Sequence, residues 1–169
     1  MSYSGWALAA LLPLALSAQI PTNGSLSGRY GFVHLSVDVL PSGVADNARN
    51  AGGVMVFDGA GGYTFQGKLG DRGNAPTAAS GAGTYRVASN GFVELDGPLA
   101  GTPRLDARLG AEASMLIGSS TAGPGEVHGV FVAVRLPDSG ASAATLSGAY
   151  TGAALWLPDG KDLAVKTAF

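Results

Sequence analysis

Along most of this chain apolar and polar residues alternate with a period of two, in short runs separated by glycine-rich turns. From Arg29 to Leu40, Val33, Leu35, Val37 and Val39 fall on one face of a strand. Phe32, His34, Ser36 and Asp38 fall on the other. A polar loop is expected over 41–52. A hairpin follows, Gly53–Phe57 to Tyr63–Lys68, turned by Asp58-Gly59-Ala60-Gly61-Gly62, where glycine supplies the positive φ such turns need. The stretch 70–81, rich in Gly, Ala, Pro and Thr, has no apolar period and reads as a second loop.

The next hairpin can be set in register. Its arms are Gly83–Ala88 and Phe92–Asp96, around Ser89-Asn90-Gly91. A two-residue Asn-Gly loop sets Arg86 against Leu95 and Val87 against Glu94. A three-residue loop pairs Val87 with Val93, Tyr85 with Leu95 and Arg86 with Glu94. Opposed residues share a face, so the second register separates apolar from charged and is the one expected, with Gly91 left-handed in a bulged turn. Beyond Gly97–Gly101, Arg104, Asp106 and Arg108 alternate with Leu105, Ala107 and Leu109. This brings Asp96 opposite Arg104 and Glu94 opposite Asp106. Strand seven is expected at Ala113–Gly118, a loop at 119–125 and strand eight at Val127–Leu136.

Eight strands in simple succession point to an all-β fold. An up-and-down antiparallel barrel is the economical form, because closure removes exposed edges. An open sandwich is the alternative. A barrel of this size holds either packed side chains or one small ligand.

The two ends read differently from the middle. Residues 1–18 have the character of a secretory signal. Trp6–Ala18 is an uncharged apolar run too short for a spanning helix, with small residues at Ala15, Ser17 and Ala18 for cleavage. The n-region Met1–Gly5 lacks Lys and Arg, and a buried N-terminal helix is the competing reading. At the other end a motif recurs. Leu26-Ser27-Gly28-Arg29-Tyr30 returns as Leu146-Ser147-Gly148-Ala149-Tyr150, 146 − 26 = 120 residues later. Each copy leads to a Leu-Pro-x-Gly turn, Leu40–Gly43 and Leu157–Gly160. The expected organisation is a signal over 1–18, a barrel over 20–137, a linker over 138–145 and an incomplete second copy over 146–169. That last segment is expected to pack poorly or to dock loosely outside the barrel.

Composition narrows the chemistry. There is no cysteine, which excludes disulfides, a lipidated cysteine and thiolate zinc sites. The net charge of −2, with 13% charged residues, argues against a nucleic-acid partner. An apolar share of 46% argues against disorder.

Leu26–Tyr30, Gly53–Phe65, Gly83-Thr84-Tyr85 and Ala107-Arg108-Leu109-Gly110 together resemble the N-terminal β-rich repeat region of large secreted acidobacterial proteins, which often end in an immunoglobulin-like domain. The resemblance covers most of residues 20–169. It implies an exported, repeated architecture, with neighbouring domains of the same longer chain as partners. It implies no activity and carries over no site residues.

Few residues invite a chemical role. His34 and His128 lie on the first and last strands and, with Asp38, are a candidate metal set. They lack ligand spacing, and His128 shares its face with Val130, Val132 and Val134, so a structural role is the simpler reading. Glu94, Asp96 and Asp106 are candidate glycosidase carboxylates, yet each is expected beside an arginine on a solvated ladder. Gly59–Gly62 lacks the lysine and helix of a phosphate loop, and no serine sits in a hydrolase motif. Asn23-Gly24-Ser25 matches a glycosylation acceptor. The alternating end Leu163, Val165, Thr167, Phe169 fits an outer-membrane strand, although 8% aromatics are few for two girdles. The sequence therefore assigns no catalytic, cofactor-binding or metal-ligating residue and no cofactor. It reads as a non-enzymatic, exported structural or adhesion module, secreted or at the cell surface. A small-ligand barrel of lipocalin or avidin type, and a membrane barrel, are the alternatives.

Overall fold

The computed structural model describes residues 20–40, 42, 45–71, 74–102, 104–120 and 127–139, and the backbone of 154–156 and 164–166. Eight antiparallel strands follow one another around a closed ring: β1 (Ser27–Val39), β2 (Ala45–Asp58), β3 (Gly62–Asp71), β4 (Thr77–Val87), β5 (Phe92–Leu95), β6 (Leu105–Leu109), β7 (Met115–Ser119) and β8 (Val127–Arg135). β8 pairs with β1 from Tyr30↔Arg135 to Asp38↔Val127, which closes the ring. A separate two-stranded pair, β9 (Ala154–Trp156) and β10 (Ala164–Lys166), lies in the expected second copy. The rest of that copy and the signal over 1–18 lie outside the described residues.

The β4–β5 hairpin has the expected register, with Tyr85↔Leu95, Arg86↔Glu94 and Val87↔Val93. Gly91 has φ +76°, and its N–H donates to the Ala88 carbonyl at 2.9 Å. In the β2–β3 turn Asp58 Oδ1 accepts from the N–H groups of Ala60, Gly61 and Gly62 at 2.7–2.9 Å.

Two expected loops are largely strand. Residues 45–52 belong to β2, because the thirteen residues of β1 present a ladder that these polar residues pair. Residues 77–82 belong to β4, paired with Gln66–Leu69 and the residues before them. Their small side chains conceal the strand and also explain it. A Cβ on Gly81 falls 2.7 Å from the Phe65 ring, and one on Gly83 falls 2.5 Å from the Tyr63 hydroxyl. Glycine thus leaves room for two aromatic rings lying across β4.

Of β1's two faces, the one carrying Tyr30, Phe32, His34 and Ser36 is buried, while Val33 is exposed. The interior is one cluster built from Tyr30, Phe32, Met55, Phe57, Tyr63, Phe65, Tyr85, Leu95, Leu116 and Phe131, among others. Phe57 meets Tyr30, Tyr63 and Tyr85 with ring centroids 5.2, 5.8 and 5.1 Å apart. The tyrosine hydroxyls are not wasted in this core. Tyr30 donates to the Ala113 carbonyl at 2.7 Å, Tyr63 to that of Asp96 at 2.6 Å and Tyr85 to that of Leu26 at 2.7 Å. Burial raises the pKa of all three above that of an ordinary phenol.

The two ends of the barrel differ. At one end the turns are tight and the segment before β1 covers the opening. Leu26 is fully buried there, and the Asn23 side-chain oxygen accepts from the Val87 N–H at 2.7 Å. Arg135, the last residue of β8, secures this end. Its guanidinium lies 5.0 Å from the Tyr30 ring centroid and donates to the Ser27 carbonyl at 2.9 Å. At the opposite end the connections after β1, β3, β5 and β7 are longer, and the interior becomes polar.

Candidate polar site at one end of the barrel

The inward row of β1 runs from Tyr30 and Phe32 to His34 and Ser36, so alternation alone carries it from an aromatic to a polar layer. Register places His34 beside Ala51 of β2 and Phe131 of β8. Ser36 is placed beside Arg49 and Gly129, and Asp38 beside Asn47 and Val127. Gly129 makes space for the imidazole, since a Cβ there falls 2.9 Å from His34 Nε2 and 3.2 Å from Ser120 Oγ.

An ion pair borders this layer. Arg49 Nη2 is 3.7 Å from Asp38 Oδ1, and Arg49 Nη1 donates to the Ala100 carbonyl at 3.1 Å. Asn47 Nδ2 donates to Asp38 Oδ2 at 3.4 Å, and Ser120 Oγ to the Val127 carbonyl at 3.2 Å. Among the described residues, five buried atoms make no hydrogen bond: both ring nitrogens of His34, Ser36 Oγ, Asp38 Oδ1 and Arg49 Nε. Buried polar atoms of native proteins are rarely left so, and several in one place leave donors and acceptors for water or a small polar molecule. Burial, helped by the Arg49 charge, lowers the His34 pKa to about 4, so the imidazole is neutral at neutral pH.

The layer therefore offers N–H and O–H donors and N and O acceptors around a compensated charge pair. His34 and Ser36, two positions apart on β1, make no hydrogen bond to each other. The candidate metal set does not come together either. β1 and β8 adjoin, but His34 is inside and His128 is exposed on the outer face, with Val37 as its register partner. Among the described residues no group of three or more His, Asp or Glu converges on one point. Asn23 of the glycosylation match spends its side chain on Val87 and, at 3.4 Å, on the Ala60 carbonyl.

The carboxylate ladder lies outside, as its alternation implies. Arg86 Nε is 3.3 Å from Glu94 Oε2, and Arg104 Nε is 3.6 Å from Asp96 Oδ1. Thr84 donates to Asp96 Oδ2 through Oγ1 at 2.7 Å and N–H at 2.8 Å, which holds that carboxyl below its usual pKa. Glu94 faces Asp106 across β5 and β6. Replacing Glu94 or Asp106 with Ala is expected to change stability by less than about 1 kcal/mol in urea unfolding. A loss of several kcal/mol would show a desolvated network.

His34 and Ser36 could be placed together from the alternation of β1. Arg49 and Ser120 could not, since both fall in stretches read as loops. A groove of about 780 Å3 also lies outside the ring, over β2–β4, lined by Val56, Thr64, Gln66 and Ser80 among others. Comparison with protein-family models, with curated proteins and with solved structures finds no match to this chain.

Proposed function

We propose that the chain is a non-enzymatic β-barrel module of a longer exported protein, with a structural or adhesion-type role at the cell surface or outside the cell. The observation that carries this reading is the filling of the interior. The cluster around Phe57 occupies the volume that a carrier of apolar ligands keeps open, and its hydroxyls bind the barrel's own carbonyls. The distribution of polarity supports it too. The outer face of β3 and β4 carries Thr64, Gln66, Lys68, Ser80, Thr84 and Arg86, around an apolar core. A membrane barrel has the reverse pattern, with an apolar band all round its outside. The recurring Leu-Ser-Gly-x-Tyr start and the apolar run at 6–18 support the repeated, exported setting. Titration with a long-chain fatty acid is expected to leave the thermal midpoint unchanged. Stoichiometric binding with a rise of several degrees would overturn the reading in favour of a carrier.

A second reading rests on the buried atoms around His34 that make no hydrogen bond. They suit one small polar ligand held among these residues at this end of the ring.

A further inference from the structure

The ring is closed, but its strands are unequal. β4 has eleven residues and β5 four, and they pair only at Tyr85, Arg86 and Val87. On its other side β4 pairs with β3 all the way from Thr84 back to Thr77. The first part of β4, Thr77–Gly83, is therefore a sheet edge, with no strand beside it among the described residues. The bonds next to it fix which backbone groups are free. The Tyr85 N–H donates to the Gly61 carbonyl, on the β3 side, at 2.8 Å. Thr84 turns the other way, toward β5. Its carbonyl accepts from the Asp96 N–H at 3.0 Å, and its N–H donates to Asp96 Oδ2 at 2.8 Å. Successive residues of a strand alternate in this direction, so Ala78, Ser80 and Ala82 turn N–H and C=O toward the open edge. All three residues are exposed. Natural edges are blunted by charge, proline or a bulge. Between Thr77 and Gly83 there is no charged residue and no proline, and the register with β3 runs unbroken.

We infer that this edge pairs with the same edge of a second molecule of this chain, antiparallel across a two-fold axis at Ser80. The edge is complementary to itself. Setting Ser80 against its own counterpart sets Ala78 against Ala82 and Ala82 against Ala78. The residues that present free backbone groups are then the ones that face each other, and each such pair exchanges both its N–H···O bonds. The ends fit the same register. Beyond Ala82 comes Thr84, whose N–H and C=O are both taken by Asp96. Opposite Thr84 stands Pro76, which has no N–H to offer. The free edge thus opens and closes at matching positions, as a two-fold pair requires. The side chains agree as well. Residues 77–83 are Thr, Ala, Ala, Ser, Gly, Ala and Gly, so nothing bulky or charged stands between the molecules. Such an edge has no pocket with which to read a foreign peptide, whereas it offers its own copy a full ladder. The pairing joins two rings through one continuous sheet and does not depend on the module role.

Small side chains bury little area, which places this dimer among weak associations, so sedimentation of the full chain is followed up to about 1 mM. A concentration-dependent monomer–dimer equilibrium is expected. Ser80→Pro removes the central N–H on the free side only, so the β3–β4 ladder stays. Its dissociation constant is expected to rise about tenfold or more, with the β-sheet circular dichroism retained. Ser80→Lys and Ser80→Glu leave the backbone intact and keep the test open if the proline variant does not fold. Each is expected to be monomeric alone, because like charges meet across the axis, and an equimolar mixture of the two is expected to dimerise. Val130→Thr, on the outer face of β8, is expected to leave the equilibrium unchanged. A parent protein that stays monomeric throughout overturns the inference. So does a dimer that Ser80→Pro and Ser80→Lys leave intact, which places the contact elsewhere on the barrel. A mixture of the lysine and glutamate variants no more dimeric than either alone overturns the two-fold register at Ser80. Slow amide exchange at Ser80 in a monomer assigns the edge to another segment of the same chain and overturns the inference as well.

Discussion

Replacing Phe57 with Ala is expected to lower the unfolding free energy by about 3–5 kcal/mol. Phe57 is 2% exposed and sits at the centre of three tyrosines, meeting Tyr30 and Tyr85 edge-on at 5.2 and 5.1 Å. The substitution removes the buried ring area and the edge-to-face contacts together. It also leaves a cavity that the ring of strands resists closing, since each strand is hydrogen-bonded on both sides. A domain of this size has about 5–15 kcal/mol of stability, so the loss takes a large share. Lys68→Ala, on the exposed polar face of β3, is expected to stay within about 0.5 kcal/mol. Urea unfolding of both variants checks the contrast. A loss below about 1 kcal/mol for Phe57→Ala would mean that the aromatic cluster does not bear the fold.

Acid is expected to destabilise the barrel between pH 6.5 and about 4, through His34. In the unfolded chain its imidazole titrates near 6.5, and in the folded barrel near 4, because burial and then the Arg49 charge disfavour the cation. Between these values the unfolded state binds more protons, so stability falls as pH falls. The contribution is fully present above pH 6.5 and is lost by about pH 4. The interval of 6.5 − 4 = 2.5 pH units amounts to on the order of 3 kcal/mol. Asp58, held by three N–H groups, and Asp96, held by Thr84, have lowered pKa values, so their contributions are lost as pH falls below the usual carboxylate value of 3.8. Unfolding free energies at pH 7 and pH 4 should therefore differ by much less in His34→Gln than in the parent. Equal differences in the two proteins would remove His34 as the cause.

Where apolar and charged residues could be segregated in one register only, the fold was legible in the sequence. The hairpin from Gly83 to Asp96 is such a place, since sliding it by one residue sets Val87 against Glu94. Where the inward positions are small or polar, strand and loop look alike. Residues 77–82 form a strand because glycine lets Phe65 and Tyr63 lean over it, a relation between strands that no local period contains. Residues 45–50 form a strand because β1 is long, and Arg49 is thereby drawn to the polar layer. The alternation in β1 defined two faces without saying which turned inward. Valine covers one face and the other mixes Phe32 with His34 and Ser36, yet the mixed face is buried, because the core is built around aromatic rings. Half of the candidate site was readable for the same reason. His34 and Ser36 follow from one strand, whereas Arg49 and Ser120 follow only from the closed ring.

The pairing of β1 with β8 sets the order of events as the chain is made. Tyr30 and Arg135 are neighbours across the seam, 135 − 30 = 105 residues apart. The first strand to leave the ribosome must therefore wait for the last one before its second edge is covered. Contacts this distant require the largest loop closure in the domain and form slowly. A nascent chain that stops short of Arg135 also lacks the guanidinium that packs on Tyr30 and binds the Ser27 carbonyl. Completion of the eighth strand is thus the step that turns an open meander into a closed ring.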